Sequence, residues 1–303
     1  MGGVLKMSLN IYARSRLVSE LARGAAAQAL SERVLRSLVQ ALGEDGPLVV
    51  VVGGLVPPIL ARDQHPPAPQ HLGTQDVDLC INMLLAEGAA AAYRVERCLT
   101  ELGFEPDPKI VDGWRWVVIV DGRYRVKVEF LSDRRDVANE ATVRPEGYEG
   151  RLSAANLHGS GFAALDFISV RSTGPAIDPD VACSVDVQYS GLSAFLLAKA
   201  FAIQGRNVEK DYYDFAYALI YNAEGGPSEA AAHILSGPLA GELRGMTHIL
   251  TEVRDRFGAT ARVGPTGYSA QSLQADPSRD LAGLRQDAVS AMALFFAELD
   301  SAG

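Results

Sequence analysis

The sequence predicts a mixed α/β fold in which helices flank a mixed sheet in the first half and form the second half alone. Short apolar runs bounded by Gly, Pro and Asp alternate with helical periodicity up to about residue 190. Beyond Ser193 the apolar residues recur almost throughout at helical spacing. At 303 residues, 48% of them hydrophobic, the chain can bury a full core. We therefore predict two domains, 1–190 and 191–303.

The first half is predicted to alternate helices and strands. In order, we expect amphipathic helices within 16–43, a buried strand at 47–52, a loop at 61–73, a strand at 76–82 and a helix over about 85–102. Asp121-Gly122 is a hairpin signal, and it lies between strand-like runs at 114–120 and 124–131. Further strand-like pieces occur at 162–170 and 181–187. This order predicts a sheet whose strands come from several separate segments.

The second half is predicted to be helical. The helices are expected at about 193–204, 208–222, 228–236, 238–257 and 279–299. Residues 258–278 contain Gly, Pro and Ser and predict an exposed loop between the last two helices.

Composition restricts the classes of function. A net charge of −9 argues against wholesale coating of nucleic acid, although residues 1–43 carry six basic side chains against two acidic ones. A solvated helix face explains that excess at least as well as an RNA contact does. The chain lacks an apolar run of the roughly 18–20 residues that cross a bilayer, and it lacks a signal-peptide pattern. Three cysteines without a pairing pattern favour a reducing cytoplasm.

Asp76 and Asp78 are the residues that point most directly to chemistry. They stand two apart in an apolar run, and the period of two in a strand places both carboxylates on one face. Two carboxylates held so close repel each other, and a divalent cation relieves the conflict. Hard oxygen ligands of this kind suit Mg²⁺ together with the phosphates of a substrate. An edge strand with a solvent-facing acidic pair is the alternative interpretation.

Two further features of the first half fit a phosphate site. Gly53-Gly54 follows a strand, where the absent side chains would let backbone N–H groups approach a phosphate, although a plain turn is the simpler interpretation. Glu129 lies between Val128 and Phe130 on the later hairpin strand and would face away from the core. A surface ion pair, for example with Lys127, is its alternative.

The second half adds a group of charges. Lys199 lies in an otherwise apolar helix, where it either extends to solvent or presents a positive charge to a phosphate. Arg206 and Lys210 follow it. Asp211 and Asp214 are one helical turn apart and share a face, and Asp211 could also simply complement the helix dipole.

Together these residues resemble the nucleotidyltransferase superfamily, in which a Gly-Ser or Gly-Gly turn precedes an Asp-x-Asp strand and a third acid lies on a neighbouring strand. The resemblance covers about residues 47–222. Its narrowest match is to the AbiEii-type group, which includes toxins of toxin–antitoxin pairs. The motifs that carry it are His71-Leu72-Gly73-Thr74-Gln75-Asp76-Val77-Asp78-Leu79, Leu197-Ala198-Lys199-Ala200-Phe201-Ala202, Arg206 and Lys210-Asp211-Tyr212-Tyr213-Asp214. The chain departs from the pattern at Gly54, where many members have Ser, in its long Pro-rich insert, and at Glu129 in place of Asp.

The resemblance implies a nucleotidyltransferase-type sheet, an NTP substrate and two Mg²⁺ ions. Asp76, Asp78 and Glu129 would bind the metals, and Glu129 could instead serve as the base. The remaining residues would bind the nucleotide. Gly53 and Gly54 would do so through their amides and Lys199 by contact with the triphosphate, while Asp211 would orient Lys199 or the nucleotide. Lys210 or Arg206 would add positive charge, and Asp214 would also belong to the nucleotide site.

The acceptor implied by the family is the 3′ end of a transfer RNA, whose modification would arrest growth until an antitoxin protein restrains the enzyme. Small-molecule or protein hydroxyls are alternative acceptors, as for antibiotic- or protein-modifying enzymes of the superfamily. A catalytically silent fold that only binds a partner is a third alternative. His65 and His71 could contact an acceptor, although loop histidines are more often simply exposed.

Overall fold

The computed structural model describes residues 19–110 and 112–301. Within them, nine strands form one mixed sheet, and helices flank it, which confirms the predicted mixed α/β fold. The strands are β1 (Val50–Val52), β2 (Asp76–Cys80), β3 (Glu105–Pro106), β4 (Arg115–Val120), β5 (Tyr124–Ser132), β6 (Thr142–Val143), β7 (Ala154–Asn156), β8 (Phe167–Pro175) and β9 (Ala182–Ser190).

The sheet brings distant parts of the sequence side by side. Its strand order is β3-β4-β5-β2-β1-β9-β8, and β7 pairs with the end of β5 and with β6. β2 runs parallel to β5 and antiparallel to β1, while β4 and β5 form the hairpin that Asp121-Gly122 predicts. The centre of the sheet is therefore β5-β2-β1, the three strands whose residues the sequence singles out.

Helices of the described residues cover the sheet and continue beyond it. They are α1 (Ala25–Leu42), α2 (Pro57–Leu60), α3 (Asn82–Ala86), α4 (Ala89–Glu101), α5 (Leu192–Gly205), α6 (Glu209–Tyr221), α7 (Pro227–Ser236), α8 (Thr247–Phe257), α9 (Val263–Ala275) and α10 (Leu281–Ser301). None of them is long and apolar enough to cross a membrane.

One large hydrophobic cluster runs through the described residues. It extends from Leu30 in α1 through the central strands to Phe296 in α10, and Trp116, Tyr212 and Tyr268 are among its fully buried side chains. The cluster passes without a break across residue 190, where the composition changes. The division into domains 1–190 and 191–303 stays a prediction.

The predicted loop at 258–278 is wrong in its larger part, because Val263–Ala275 forms α9. This helix contains Gly264, Pro265 and Gly267, so its propensity is poor, and tertiary contacts override it. Tyr268 is 0% exposed and stacks against Tyr213. A Cβ on Gly264 would meet the Phe257 ring at 2.6 Å, so the glycine allows α9 to pack closely on α8.

Three smaller boundaries also differ from the prediction. The segment 162–170 begins with a short 3-10 turn, and its strand starts only at Phe167. The helix expected over 85–102 is divided at Gly88, which has a positive φ of 81°. In the described part of 16–43 the helix begins at Ala25, and residues 16–18 lie outside the described residues.

Candidate functional site

Strand register brings three carboxylates together at the centre of the sheet. Asp78 lies directly opposite Glu129 on the parallel neighbour β5, and Asp76 lies two residues earlier on β2. Paired residues of parallel strands point to the same face, and strands are spaced about 4.8 Å apart, so all three side chains project on one side. The aliphatic neighbours Val77, Leu79 and Val128 are buried on the other side. The alternative of an edge strand does not apply to β2, which is paired on both sides.

The turn after β1 lies against this acidic group. Gly53 has a φ of 70°, and a Cβ added there would lie 1.9 Å from Asp78 Oδ2. Only glycine permits both this backbone conformation and so close an approach. At Gly54 an added Cβ would lie 2.9 Å from Thr74 Oγ1, so the fully buried Thr74 side chain occupies the space that a side chain at position 54 would need. The two glycines thus set how closely the turn approaches the acids.

The acidic group carries more negative charge than its surroundings neutralise. Burial, followed by the carboxylates of Glu129 and Asp76, raises the pKa of Asp78 to about 7, while Lys210 opposes the shift. Burial also raises the pKa of Glu129, against the effect of Arg115. The repulsion predicted for Asp76 and Asp78 therefore extends to Glu129.

Arg115 is a site residue that sequence reasoning missed. Its Nε donates to Glu129 Oε1 at 2.8 Å, so the ion pair expected as an alternative for Glu129 exists, but with Arg115 rather than Lys127. Lys127 instead pairs with Glu20 at 2.8 Å. The hairpin register places Arg115 opposite Glu129, and counting outward from the turn at Asp121-Gly122 would have found it.

Lys199 is the centre of a buried ionic network between α5 and α6. Its Nζ lies 2.9 Å from Asp211 Oδ1 and 2.8 Å from Asp214 Oδ2. Burial disfavours every charge here, yet the two aspartates outweigh it and raise the pKa of Lys199. Lys199 in turn holds the pKa of Asp211 and of Asp214 below their ordinary values against the opposing effect of burial. The lysine thus joins the two helices.

Three residues outside this triad complete the network, and one of them, Arg23, lies 3.7 Å from Asp214 Oδ1. Arg206 donates to both oxygens of Asp211, at 2.7 and 3.1 Å. His71 is 4% exposed, so the expectation of an exposed loop histidine is wrong for His71, whereas His65 is exposed as expected. The Gly73 N–H donates to His71 Nδ1, which leaves the proton on Nε2 to donate to Asp214 Oδ1 at 3.2 Å. Burial lowers the pKa of His71, so the ring is held neutral.

Lys210 differs from Lys199 because no ion pair among the described residues uses it. It lowers the pKa of both Asp78 and Glu129, and a Cβ on Gly54 would lie 3.6 Å from its Cε. Lys210 is therefore the lysine that lies over the glycine turn and faces the acids.

These residues line a cavity of about 580 Å³ between the sheet and the helices of the second half. Of the predicted site residues, the cavity wall includes Gly53, Asp76, Asp78, Glu129, Lys199, Arg206 and Lys210. Gly54, Asp211 and Asp214 lie behind that wall. His71 lines a separate cavity of about 380 Å³ beside the Pro-rich insert.

The donor set suits a hard divalent cation. Three carboxylates with uncompensated repulsion offer the oxygen ligands that Mg²⁺ prefers. In the part of the chain that the structure describes, no three acidic, histidine or cysteine side chains yet form a ligand group.

The three basic side chains of the N-terminal segment that the structure describes make contacts within the protein. Arg23 donates to the Gly73 carbonyl, Arg33 pairs with Asp121 at 2.8 Å, and Arg36 is buried. Lys6, Arg14 and Arg16 lie outside the described residues. The three described arginines therefore do not form the solvated helix face that the sequence analysis offered as an explanation of their charge.

Comparisons of the chain with protein-family models, with curated proteins and with solved structures find no match.

Proposed function

We propose that this protein is a metal-dependent nucleotidyltransferase that moves a nucleoside monophosphate from an NTP to a hydroxyl acceptor. The observation that carries the proposal is the placement of Asp76, Asp78 and Glu129 on one face of the central strands, with the pKa of Asp78 raised to about 7. Buried like charges are costly unless a cation joins them, so the cluster is explained by a bound metal. The fold would then be the nucleotidyltransferase type, with Mg²⁺ in two positions.

The remaining cavity residues supply what the reaction needs. When bound, Mg²⁺ neutralises the triphosphate and lowers the pKa of the attacking hydroxyl. Gly53 has no side chain to block a phosphate, and Lys210 offers positive charge beside the glycine turn. Arg206 also lines the cavity, although it shares its charge with Asp211. The acceptor oxygen bonds to the α-phosphorus as the bond to the β-phosphate oxygen breaks, and pyrophosphate leaves. Glu129, with its raised pKa, receives the hydroxyl proton.

Lys199 has a different role from the one that the resemblance implies. Because Asp211 and Asp214 already neutralise it, Lys199 contributes little net charge to a triphosphate. It positions α6, which carries Lys210 into the cavity. We assign the triphosphate contact to Lys210 and a positioning role to Lys199, Asp211 and Asp214.

The acceptor proposed from the resemblance is a transfer RNA 3′ end, with growth inhibition and an antitoxin partner as its consequences. Purified protein is incubated with Mg²⁺, each α-labelled NTP in turn, and total RNA. We expect label on transfer RNA that is lost in Asp76→Ala and Asp78→Ala. Asp186→Ala, which removes an exposed strand aspartate paired only with Arg171, is the matched control and retains activity. Transfer that survives both cavity substitutions would contradict the assignment of the acids.

A silent binding protein is the second candidate function. Glu129 and Lys199 both have internal partners, as expected of a site that has lost its reaction. The same incubation separates the candidates. Mg²⁺-dependent NTP binding without label on RNA, on small hydroxyl acceptors or on the protein itself would favour the binder. Absence of metal and NTP binding altogether would contradict the transferase and leave only a protein that binds a partner.

A further inference from the structure

Arg135 lies at the end of the large cavity that the proposed reaction leaves unused. It follows β5 by three residues and lines the cavity together with Phe201 of α5 and Leu157, whereas Asp78 and Glu129 line it on the central strands. The acids and Arg135 therefore border one continuous space. In the sequence, Arg135 follows Glu129 by six residues. Fully extended, that stretch spans about 20 Å at most.

Two aromatic rings and one carboxylate hold the Arg135 guanidinium. Its Cζ lies 4.9 Å from the Phe201 ring centre and 5.4 Å from the Phe162 ring centre. Its Nε pairs with Asp133 Oδ1 at 2.8 Å, and Asp133 is itself fixed by the Gly159 N–H at 2.8 Å. The Arg135 side chain is nevertheless 49% exposed. The guanidinium is thus in contact with both phenylalanine rings, while about half of the side chain stays exposed where it lines the cavity.

We propose that Arg135 forms a nucleobase subsite, in which the base of the NTP stacks on the exposed guanidinium. A planar, weakly hydrated cation resting on an aromatic ring is a good platform for a heterocyclic base. The inference rests on the proposed function, because it requires the triphosphate to lie at the acids. The base then extends along the cavity toward Arg135.

The local charge favours a ring over a phosphate at this position. Asp133 is nearly buried and neutralises Arg135, so the pair presents little net charge to an anion. Phe201, Leu157 and Ala163 give this cavity apolar surface, beside polar lining residues such as His158 and Ser160. By contrast, Lys210 lies beside the glycine turn without a carboxylate partner among the described residues.

The test separates base binding from phosphate binding. The dissociation constants of each NTP and of inorganic tripolyphosphate are measured with Mg²⁺ for the wild type, Arg135→Lys and Arg135→Ala. Arg135→Lys keeps the positive charge and the partner Asp133 but removes the planar guanidinium group. We expect NTP binding to weaken about fivefold or more in both variants, the range that loss of stacking on one base gives. Tripolyphosphate binding should stay within about twofold of the wild type. Arg134→Lys is the matched control, because Arg134 pairs with Asp136 outside the cavity.

Each other outcome overturns the subsite. Unchanged NTP binding in both variants shows that no base rests on Arg135. Equal weakening of NTP and tripolyphosphate shows that Arg135 binds phosphate. A wild-type protein that binds NTP no more tightly than tripolyphosphate has no base subsite at all. These results leave nucleotidyl transfer by the wild type intact, whereas failure of the proposed function appears as absence of label transfer and of Mg²⁺-dependent NTP binding in the wild type.

Discussion

Gly53 and Asp78, two residues 25 positions apart in sequence, lie so close that a side chain at position 53 would overlap the Asp78 carboxylate. The turn follows β1 and the acid lies on β2, which pair so that Val52 is opposite Asp78. The position therefore combines two demands, a positive φ and an absent side chain. These demands can be separated by experiment, because Gly122 has nearly the same φ, 68°, with nothing near its missing Cβ.

Gly53→Ala should displace the Asp78 carboxylate, because its Cβ would overlap Asp78 Oδ2. We expect transfer activity to fall at least a hundredfold and Mg²⁺ binding to weaken. Gly122→Ala imposes similar backbone strain, costing about 1 kcal/mol, but should leave both unchanged. Activity assays and Mg²⁺ titrations on the two variants test this. Equal effects would show that backbone strain alone, and not the approach to Asp78, matters.

The raised pKa of Asp78 predicts how the metal-free protein responds to pH. The folded state keeps the proton up to about pH 7, whereas the unfolded chain releases it near pH 3.8. The free energy of unfolding should therefore decrease as pH rises between these values. Asp78→Asn removes this loss. At pH 8 in EDTA we expect it to unfold with about 1–3 kcal/mol more free energy than the wild type, after allowance for solvent screening.

The advantage of Asp78→Asn should vanish near pH 4, where the wild-type carboxyl is protonated in the folded state. Urea unfolding at both pH values measures it. An Asp78→Asn protein that is less stable than the wild type at pH 8 would contradict the uncompensated repulsion.

At the scale of elements, α5 and α6 are joined by charge as well as by packing. Lys199 on α5 lies between Asp211 and Asp214 on α6, and all three are buried. These ionic contacts hold the first turns of α6 against α5. They therefore fix Lys210, the residue that faces the acids.

Lys199→Met tests these contacts. It leaves two buried aspartates with incomplete compensation, which costs about 3–5 kcal/mol of unfolding free energy. Arg171→Met breaks an ion pair whose side chains are 59% and 61% exposed, and it should cost less than about 1 kcal/mol. Denaturant unfolding of both variants provides the comparison. If Lys199→Met abolishes transfer without loss of stability, the lysine acts directly on the nucleotide instead of positioning α6.

At the scale of the whole molecule, the cavity joins the strands before residue 190 to the helices after it. A ligand that contacts both should stabilise the folded protein as one unit. At a hundred times its dissociation constant, Mg²⁺–NTP should add about 2.7 kcal/mol to the free energy of unfolding. Thermal unfolding with and without the ligand measures this, and Asp76→Ala should abolish the gain. Stabilisation that persists in Asp76→Ala would mean that NTP binds elsewhere.

Much of the fold and part of the site could be predicted from local pattern. Asp121-Gly122 identified the β4–β5 hairpin, and the apolar runs identified β1 and β2. The helix α9 could not be predicted because glycine disfavours a helix on its own. Its glycines help the helix only where they allow close packing against other helices. The burial of His71 could not be predicted from local pattern, because its partner Asp214 is 143 residues away.

The sequence by itself determined that Asp76 and Asp78 share a face, since a strand alternates its side chains whatever surrounds it. It also determined that Asp211 and Asp214 share a helix face. Only the tertiary structure decided which charges meet: Glu129 with the aspartates and with Arg115, and Lys199 with Asp211 and Asp214. Sequence periodicity fixes the direction of a side chain within its own element. The partner of a buried charge depends on strand order and helix packing, which bring together residues far apart in the chain.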